Sequence, residues 1–134
     1  MAAGPNDALW QAARQSFTSS DIESLARLLM ERGDPNVVQE YPQSGETFKG
    51  RDRILEMNKS YPAATGTQPT FALRELRTNG DLAVVEGSVD YGDGRVVSYV
   101  AIVQAADGRI VRMSEYFADP FPAPDWRKPF TAGA

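Results

Sequence analysis

The sequence predicts an α+β domain in which three N-terminal helices pack on a curved antiparallel β-sheet and enclose one apolar pocket. Three observations predict it. The first half of the chain carries apolar residues at helical spacing. The second half is a series of β-branched and aromatic runs separated by Asn79-Gly80, Asp93-Gly94 and Asp107-Gly108, each a favoured tight-turn pair. The length, 134 residues, suits one domain, with 42% hydrophobic and 24% charged residues.

The first helix is expected to begin at Asn6 as its cap, with Trp10, Ala13, Arg14 and Phe17 spaced along it. Ser20 and Glu23 have the spacing of a capping box for a second helix. Its apolar positions are Ile22, Leu25, Ala26, Leu28 and Leu29, and Gly33 and Pro35 stop it. Val37 to Tyr41 reads as a short strand ended by Pro42, and 43–50 as a loop with two glycines. Arg51 to Tyr61 is predicted to form the third helix, ended by Pro62. Four meander strands follow, Phe71 to Arg77, Leu82 to Tyr91, Arg95 to Ala105 and Arg109 to Ala118. The domain is thus placed at 1–118. A tail at 119–134 carries four prolines with Phe121, Trp126 and Phe130. Those aromatics suggest that part of it lies against the domain or a neighbouring subunit.

Alternation assigns the faces of the sheet. Val85, Gly87, Val89 and Tyr91 share one side, as do Val111, Met113, Glu115 and Phe117. Val97, Tyr99, Ala101 and Val103 lie on one side of the third meander strand, and Val96, Ser98, Val100 and Ile102 on the other. Both sides are apolar enough to be buried, which a homodimer packed through the sheet would explain.

Composition excludes several chemistries. The chain has no cysteine and no histidine, which removes disulfides, Ser–His and Cys–His nucleophile pairs and the usual zinc ligands. Acid–base work must fall to Asp, Glu, Tyr or Lys. The net charge of −4, without a basic cluster, argues against nucleic acid as a partner. No apolar run approaches a membrane span, and no basic region followed by an apolar stretch opens the chain, so a cytoplasmic location is expected. No metal and no cofactor are implied.

The candidate site follows from the faces. Glu115 would be a carboxyl on the apolar side, where desolvation raises its pKa into the range of a general acid or base. Burial of the same group in a structural hydrogen bond or ion pair is one alternative, and a rotated strand that leaves Glu115 in solvent is another. Glu40 joins it if Val38 points inward; in the other phase of that short strand, Tyr41 does. Tyr41, Tyr61, Tyr91 and Tyr99 could each offer a hydroxyl to a ligand carbonyl. Tyr41 and Tyr99 are expected nearest the cavity. Trp10, Phe17, Val38, Met57, Tyr61, Val85, Val89, Tyr99, Met113 and Phe117 complete the predicted lining.

Two stretches carry a family resemblance. Val38-Gln39-Glu40-Tyr41-Pro42-Gln43-Ser44-Gly45-Glu46 with Gly50-Arg51, and Ser114-Glu115-Tyr116-Phe117, resemble SnoaL-like domains of the nuclear-transport-factor-2-like superfamily. The resemblance implies a cone-shaped fold and a pocket for a small apolar ligand. It implies isomerase, cyclase, dehydratase or epoxide-hydrolase chemistry, or a non-catalytic binding or dimeric interaction module. Glu115 and Phe117 match the carboxylate and aromatic of limonene-epoxide-hydrolase-like members. Gly87 and Val89 stand where those members carry an Arg-x-Asp pair. Tyr41 replaces the aspartate that steroid-isomerase-like members place before the loop proline. Ala118 stands where SnoaL-like cyclases often carry an aspartate, and their histidine is absent.

Overall fold

The computed structural model describes residues 4–133; residues 1–3 of the predicted domain and residue 134 of the predicted tail lie outside the described residues. Helices α1 (Asp7–Thr18), α2 (Ile22–Arg32) and α3 (Arg51–Thr65) cover one face of a curved, unclosed six-stranded sheet. Its strands are β1 (Gly33–Tyr41), β2 (Glu46–Lys49), β3 (Thr70–Asn79), β4 (Leu82–Asp90), β5 (Val96–Ala106) and β6 (Arg109–Ala118), in spatial order β2-β1-β6-β5-β4-β3. The predicted helices and meander are present. The sheet is mixed, not wholly antiparallel, because β1 returns beside β6 in parallel.

Helix starts differ from the local signals. The Asn6 side chain does not cap α1. It accepts from the Gly108 backbone N–H at 2.8 Å and donates to the Gly80 carbonyl, which also accepts from Trp10 Nε1 at 2.8 Å. α1 is thus pinned to two hairpin turns. Asp21, not Ser20, caps α2, its carboxylate accepting from Ser24 N–H at 2.7 Å. Ser20 instead adopts φ +64° and receives the Phe71 N–H on its carbonyl, joining the helices to β3.

Three boundaries also shift. β1 begins at Gly33, directly on the end of α2, so the glycine and Pro35 mark a change of structure without a loop. The expected 43–50 loop contains β2, which pairs with β1 from Tyr41↔Glu46 to Val38↔Lys49. α3 runs through Pro62 to the left-handed Gly66, whose N–H donates to the Pro62 carbonyl at 2.8 Å. Proline removes one donor but its fixed φ suits the helix, and Gly66 supplies the cap that ends it.

Packing resolves the faces. Val97, Tyr99, Ala101 and Val103 are buried beneath the helices, whereas Val96 is exposed and Val100 and Ile102 are half-buried on the outer face. On β1 the inward set is Val37, Gln39 and Tyr41; Val38 and Glu40 lie on the opposite side. A bulge between β5 and β6 pairs Ala105 with Ile110, so Ile110 enters the core where alternation alone assigns Val111. The tail forms a short 3-10 helix at Asp125–Phe130. Phe121, Trp126 and Phe130 remain exposed, so the tail does not bury its aromatics on its own domain.

One close approach organises the middle of the sheet. Gly87 lies under the Phe71 ring, and a Cβ there would stand 2.5 Å from Phe71 Cζ and closer still to the Ala72 carbonyl oxygen. We expect Gly87→Ala to destabilise the fold by about 1–3 kcal/mol, since the Ala72 backbone cannot retreat without breaking the sheet. Urea unfolding of the variant measures this, and unchanged stability would show that both the ring and the Ala72 backbone can give way.

Candidate functional site

The site forms where β1, β6 and β5 lie side by side. Glu115 is 9% exposed, on the inner face of β6. Its cross-strand row runs through Ala101 to Val85 and on to Leu76, all buried and apolar. In the next row Gly87, Tyr99 and Phe117 are aligned, and in the row on the other side Val103 and Met113 lie beside Gln39. A carboxyl group therefore sits within a field of hydrocarbon and ring edges.

Its hydrogen bonds come from neutral groups. The Tyr99 hydroxyl donates to Glu115 Oε2 at 2.6 Å, and Gln39 Nε2 donates to Glu115 Oε1. Among the described residues no lysine or arginine pairs with it. Burial pushes the Glu115 pKa above the ordinary glutamate value, and the Tyr99 and Gln39 hydrogen bonds offset part of that rise. Tyr99 is raised well above the usual tyrosine range, first by burial and then by the neighbouring Glu115 charge. Tyr41 is raised by burial and then by Glu115.

Aromatic rings form a continuous chain across this face. Phe17 meets Phe71 at 5.3 Å between centroids, Phe71 meets Tyr99 at 5.4 Å, and Tyr99 meets Phe117 at 5.2 Å. Phe117 then meets Tyr41 at 5.6 Å, and Tyr41 meets Phe48 at 5.1 Å. Most of these pairs are edge-to-face, the arrangement the ring quadrupole favours. The chain runs from the buried Phe17 to the half-buried Tyr41, Phe117 and Phe48, so it has a solvent-facing end near Glu115. Gln43 holds that end. Its side-chain amide exchanges two 2.6 Å hydrogen bonds with the Phe117 backbone, extending the β1–β6 ladder beyond the strand.

The predicted site residues separate into groups. Glu115, Tyr41, Phe17, Tyr99 and Phe117 come together, with Val85 behind Glu115 and Met113 one row away. Val89 is buried in the core, and Met57 and Tyr61 are half-buried on α3. Trp10 is fixed at the β3–β4 turn. Val38 and Glu40 are excluded by the phase of β1. Glu40 instead accepts from Ser114 Oγ at 2.5 Å and Arg112 at 2.7 Å on the outer face, which holds its carboxyl below the usual range. Gln39 is the residue that the inward reading of Val38 misses. Val37, Gln39 and Tyr41 form a less charged set than Val38 and Glu40, and that was the available signal.

At 9% exposure the carboxyl is largely closed to solvent. Two concavities lie on the helices, one beside Trp10 and Arg14, the other between α1 and α2 at Ala12, Ser24 and Leu28, and Glu115 lines neither.

The raised Glu115 pKa sets a pH dependence. The unfolded chain releases this proton at lower pH than the folded one, so stability is full below the ordinary glutamate range. It falls as pH rises through the higher folded value, where the buried group must ionise. Glu115→Gln removes that loss, so its stability relative to the parent should improve as pH rises above the ordinary glutamate range and level off once Glu115 is ionised. Urea unfolding as a function of pH measures it. A constant difference would mean that Glu115 titrates as an exposed carboxylate.

Comparison with known proteins bears on the fold. The chain aligns with a nuclear-transport-factor-2-like protein of unknown function from Burkholderia xenovorans at 26% identity and a TM-score of 0.79, over 98% of this chain and 99% of that one. A protein provisionally assigned as a ketosteroid isomerase from Kribbella flavida aligns at 19% identity and a TM-score of 0.78, over 97% and 90%. One provisionally assigned as a polyketide cyclase from Sinorhizobium meliloti aligns at 22% identity and 0.59, over 80% and 92%. No curated protein sequence matches. The SnoaL-like domain model matches residues 10–113, which contain most of α1, all of α2 and α3, β1 to β5 and the start of β6, and the chain belongs to that family.

Proposed function

We propose that this chain binds a small, mostly apolar molecule at the solvent-facing end of the aromatic chain, with Glu115 as the proton-transfer group of a cofactor-independent reaction. The observation that carries the reading is a buried carboxyl with two neutral hydrogen-bond donors and, among the described residues, no cation. Such a group can hold a proton near neutral pH, deliver it to a substrate, and take one back as a poorly solvated and therefore stronger base. The Tyr99 hydroxyl and the Gln39 amide stabilise the carboxylate left after transfer. Tyr41 would offer its hydroxyl to the substrate's polarised oxygen. The reaction class is that of an isomerase, cyclase, dehydratase or epoxide hydrolase, and the neighbours provisionally assigned as a ketosteroid isomerase and a polyketide cyclase are compatible with it.

Glu115 is 9% exposed, so entry requires neighbouring side chains, among them the half-buried Tyr41 and Phe117, to turn aside. That same closure favours a second reading, a non-catalytic ligand-binding or dimeric interaction module whose Glu115 is part of the core. Mass spectrometry of the protein as purified should identify a retained ligand. Incubating that ligand with the protein in deuterated water then separates the readings. The parent should either exchange a carbon-bound proton or convert the ligand by gain or loss of water, and Glu115→Gln should do so at least about 100-fold more slowly while remaining folded. Neither exchange nor conversion in the parent, or equal rates in both, selects the non-catalytic reading.

We also propose a homodimer through the outer sheet face. Val84, Val100, Ile102 and Tyr116 form its apolar centre, and the ion pairs Glu40–Arg112 and Arg77–Glu86 flank it. Sedimentation velocity at micromolar concentration should show a dimer, and Ile102→Glu should give a monomer by burying an unpaired charge. A monomeric parent would remove this interface.

A further inference from the structure

We infer that Gln39 supplies the hydrogen-bond acceptor of the Glu115 site, and that the ligand is a small apolar molecule bearing a hydroxyl or N–H donor. This rests on the small-ligand reading above and narrows its substrate class.

Gln39 is 5% exposed on the inner face of β1, opposite Met113 in the parallel register. Its Nε2 is committed to Glu115. Its Oε1 is shielded from water and has no hydrogen-bond partner, the one such buried side-chain atom among the described residues. A carbonyl oxygen has two lone pairs, and an unmet buried acceptor is costly enough that folded proteins nearly always satisfy it. A leucine or methionine at this position would fill the same space without the orphan. Of the neighbouring groups, the Tyr99 hydroxyl is committed to Glu115 Oε2 and Gln39 Nε2 to Glu115 Oε1.

The chemistry of the missing partner follows from that inventory. Oε1 accepts and cannot donate, so a ketone, an ether or a hydrocarbon leaves it unmet. A hydroxyl or an N–H satisfies it. The amide joins Oε1 to the nitrogen that holds Glu115, so a donor on Oε1 lies beside the carboxyl. The rest of the ligand meets the rings of Tyr41 and Phe117, which are stacked edge-to-face at this end of the site. Gln39 thus selects the ligand and sets its orientation relative to Glu115, as a positioning residue.

Phenol, anisole and toluene test this, because they share a ring and differ in the donor. Their dissociation constants are measured by protein-observed NMR on the parent and on Gln39→Met. The parent should bind phenol about tenfold tighter than anisole or toluene, with phenol shifting the Gln39 side-chain amide resonances. Gln39→Met should bind all three alike. Equal binding of the three by the parent would mean that water or nothing meets Oε1, and would overturn the inference while leaving a small-ligand site. A phenol preference that survives in Gln39→Met would overturn it as well. Absence of binding by any of the three up to their solubility would overturn both the inference and the small-ligand reading. If Gln39→Met fails to fold, Gln39→Asn, which withdraws the amide by one methylene, should abolish the same preference.

Discussion

A carboxyl group buried with no cation beside it among the described residues imposes conditions on its surroundings. Desolvation makes the Glu115 charge costly, so the group survives only where donors are already in place. Tyr99 and Gln39 are those donors, and each must be held. Tyr99 is fixed between the rings of Phe71 and Phe117. The Phe71 ring in turn occupies the space that a side chain at Gly87 would take. Gln39 is placed by the parallel pairing of β1 with β6. The mixed character of the sheet thus has a local use: the crossover brings a residue from the first half of the chain onto a carboxyl near its end.

The same two strands carry opposite chemistry on their two faces. Inside, Gln39 and Glu115 make a contact between an amide and a carboxyl that burial has shifted towards its neutral form. Outside, Glu40, Arg112 and Ser114 make a charged cluster that water can reach, with the Glu40 pKa lowered. Alternation along a strand changes the environment within one residue, and environment decides which of two glutamates is suited to proton transfer. Arg112 serves the outer glutamate, which leaves Glu115 with neutral partners.

The mouth of the site is held by ordinary sheet physics put to local use. Gln43 continues the β1–β6 ladder with a side-chain amide after the strand has ended, and this fixes the backbone beneath the Phe117 ring. β2 brings Phe48 against Tyr41. Tyr41, Phe48 and Phe117 thus form one connected edge of the inner face, next to the strand pair that carries Gln39 and Glu115.

The meander was legible from residue order. Asn79-Gly80 and Asp107-Gly108 bend the chain wherever they occur, and Gly80, Asp107 and Gly108 all take positive φ. Helical spacing likewise located α1 and α2, and alternation placed Glu115 on the buried face, because both patterns are local properties of the chain. Local signals were weaker where a distant partner competed. Asn6 gave up its cap for two turns far along the sequence, and Pro62 did not stop a helix whose cap lay at Gly66. The phase of β1 was the most consequential case. A short strand with Val37 and Val38 side by side has no intrinsic inside, and pairing with β6 decided that Gln39 and Tyr41 face the core while Glu40 faces out. The sequence by itself determined the α+β architecture, the absence of histidine and thiol chemistry, and the one inward carboxyl on the closing strand. Only the tertiary structure decided that carboxyl's partners, since hydrogen bonds between residues 76 positions apart depend on strand register, which no local pattern encodes.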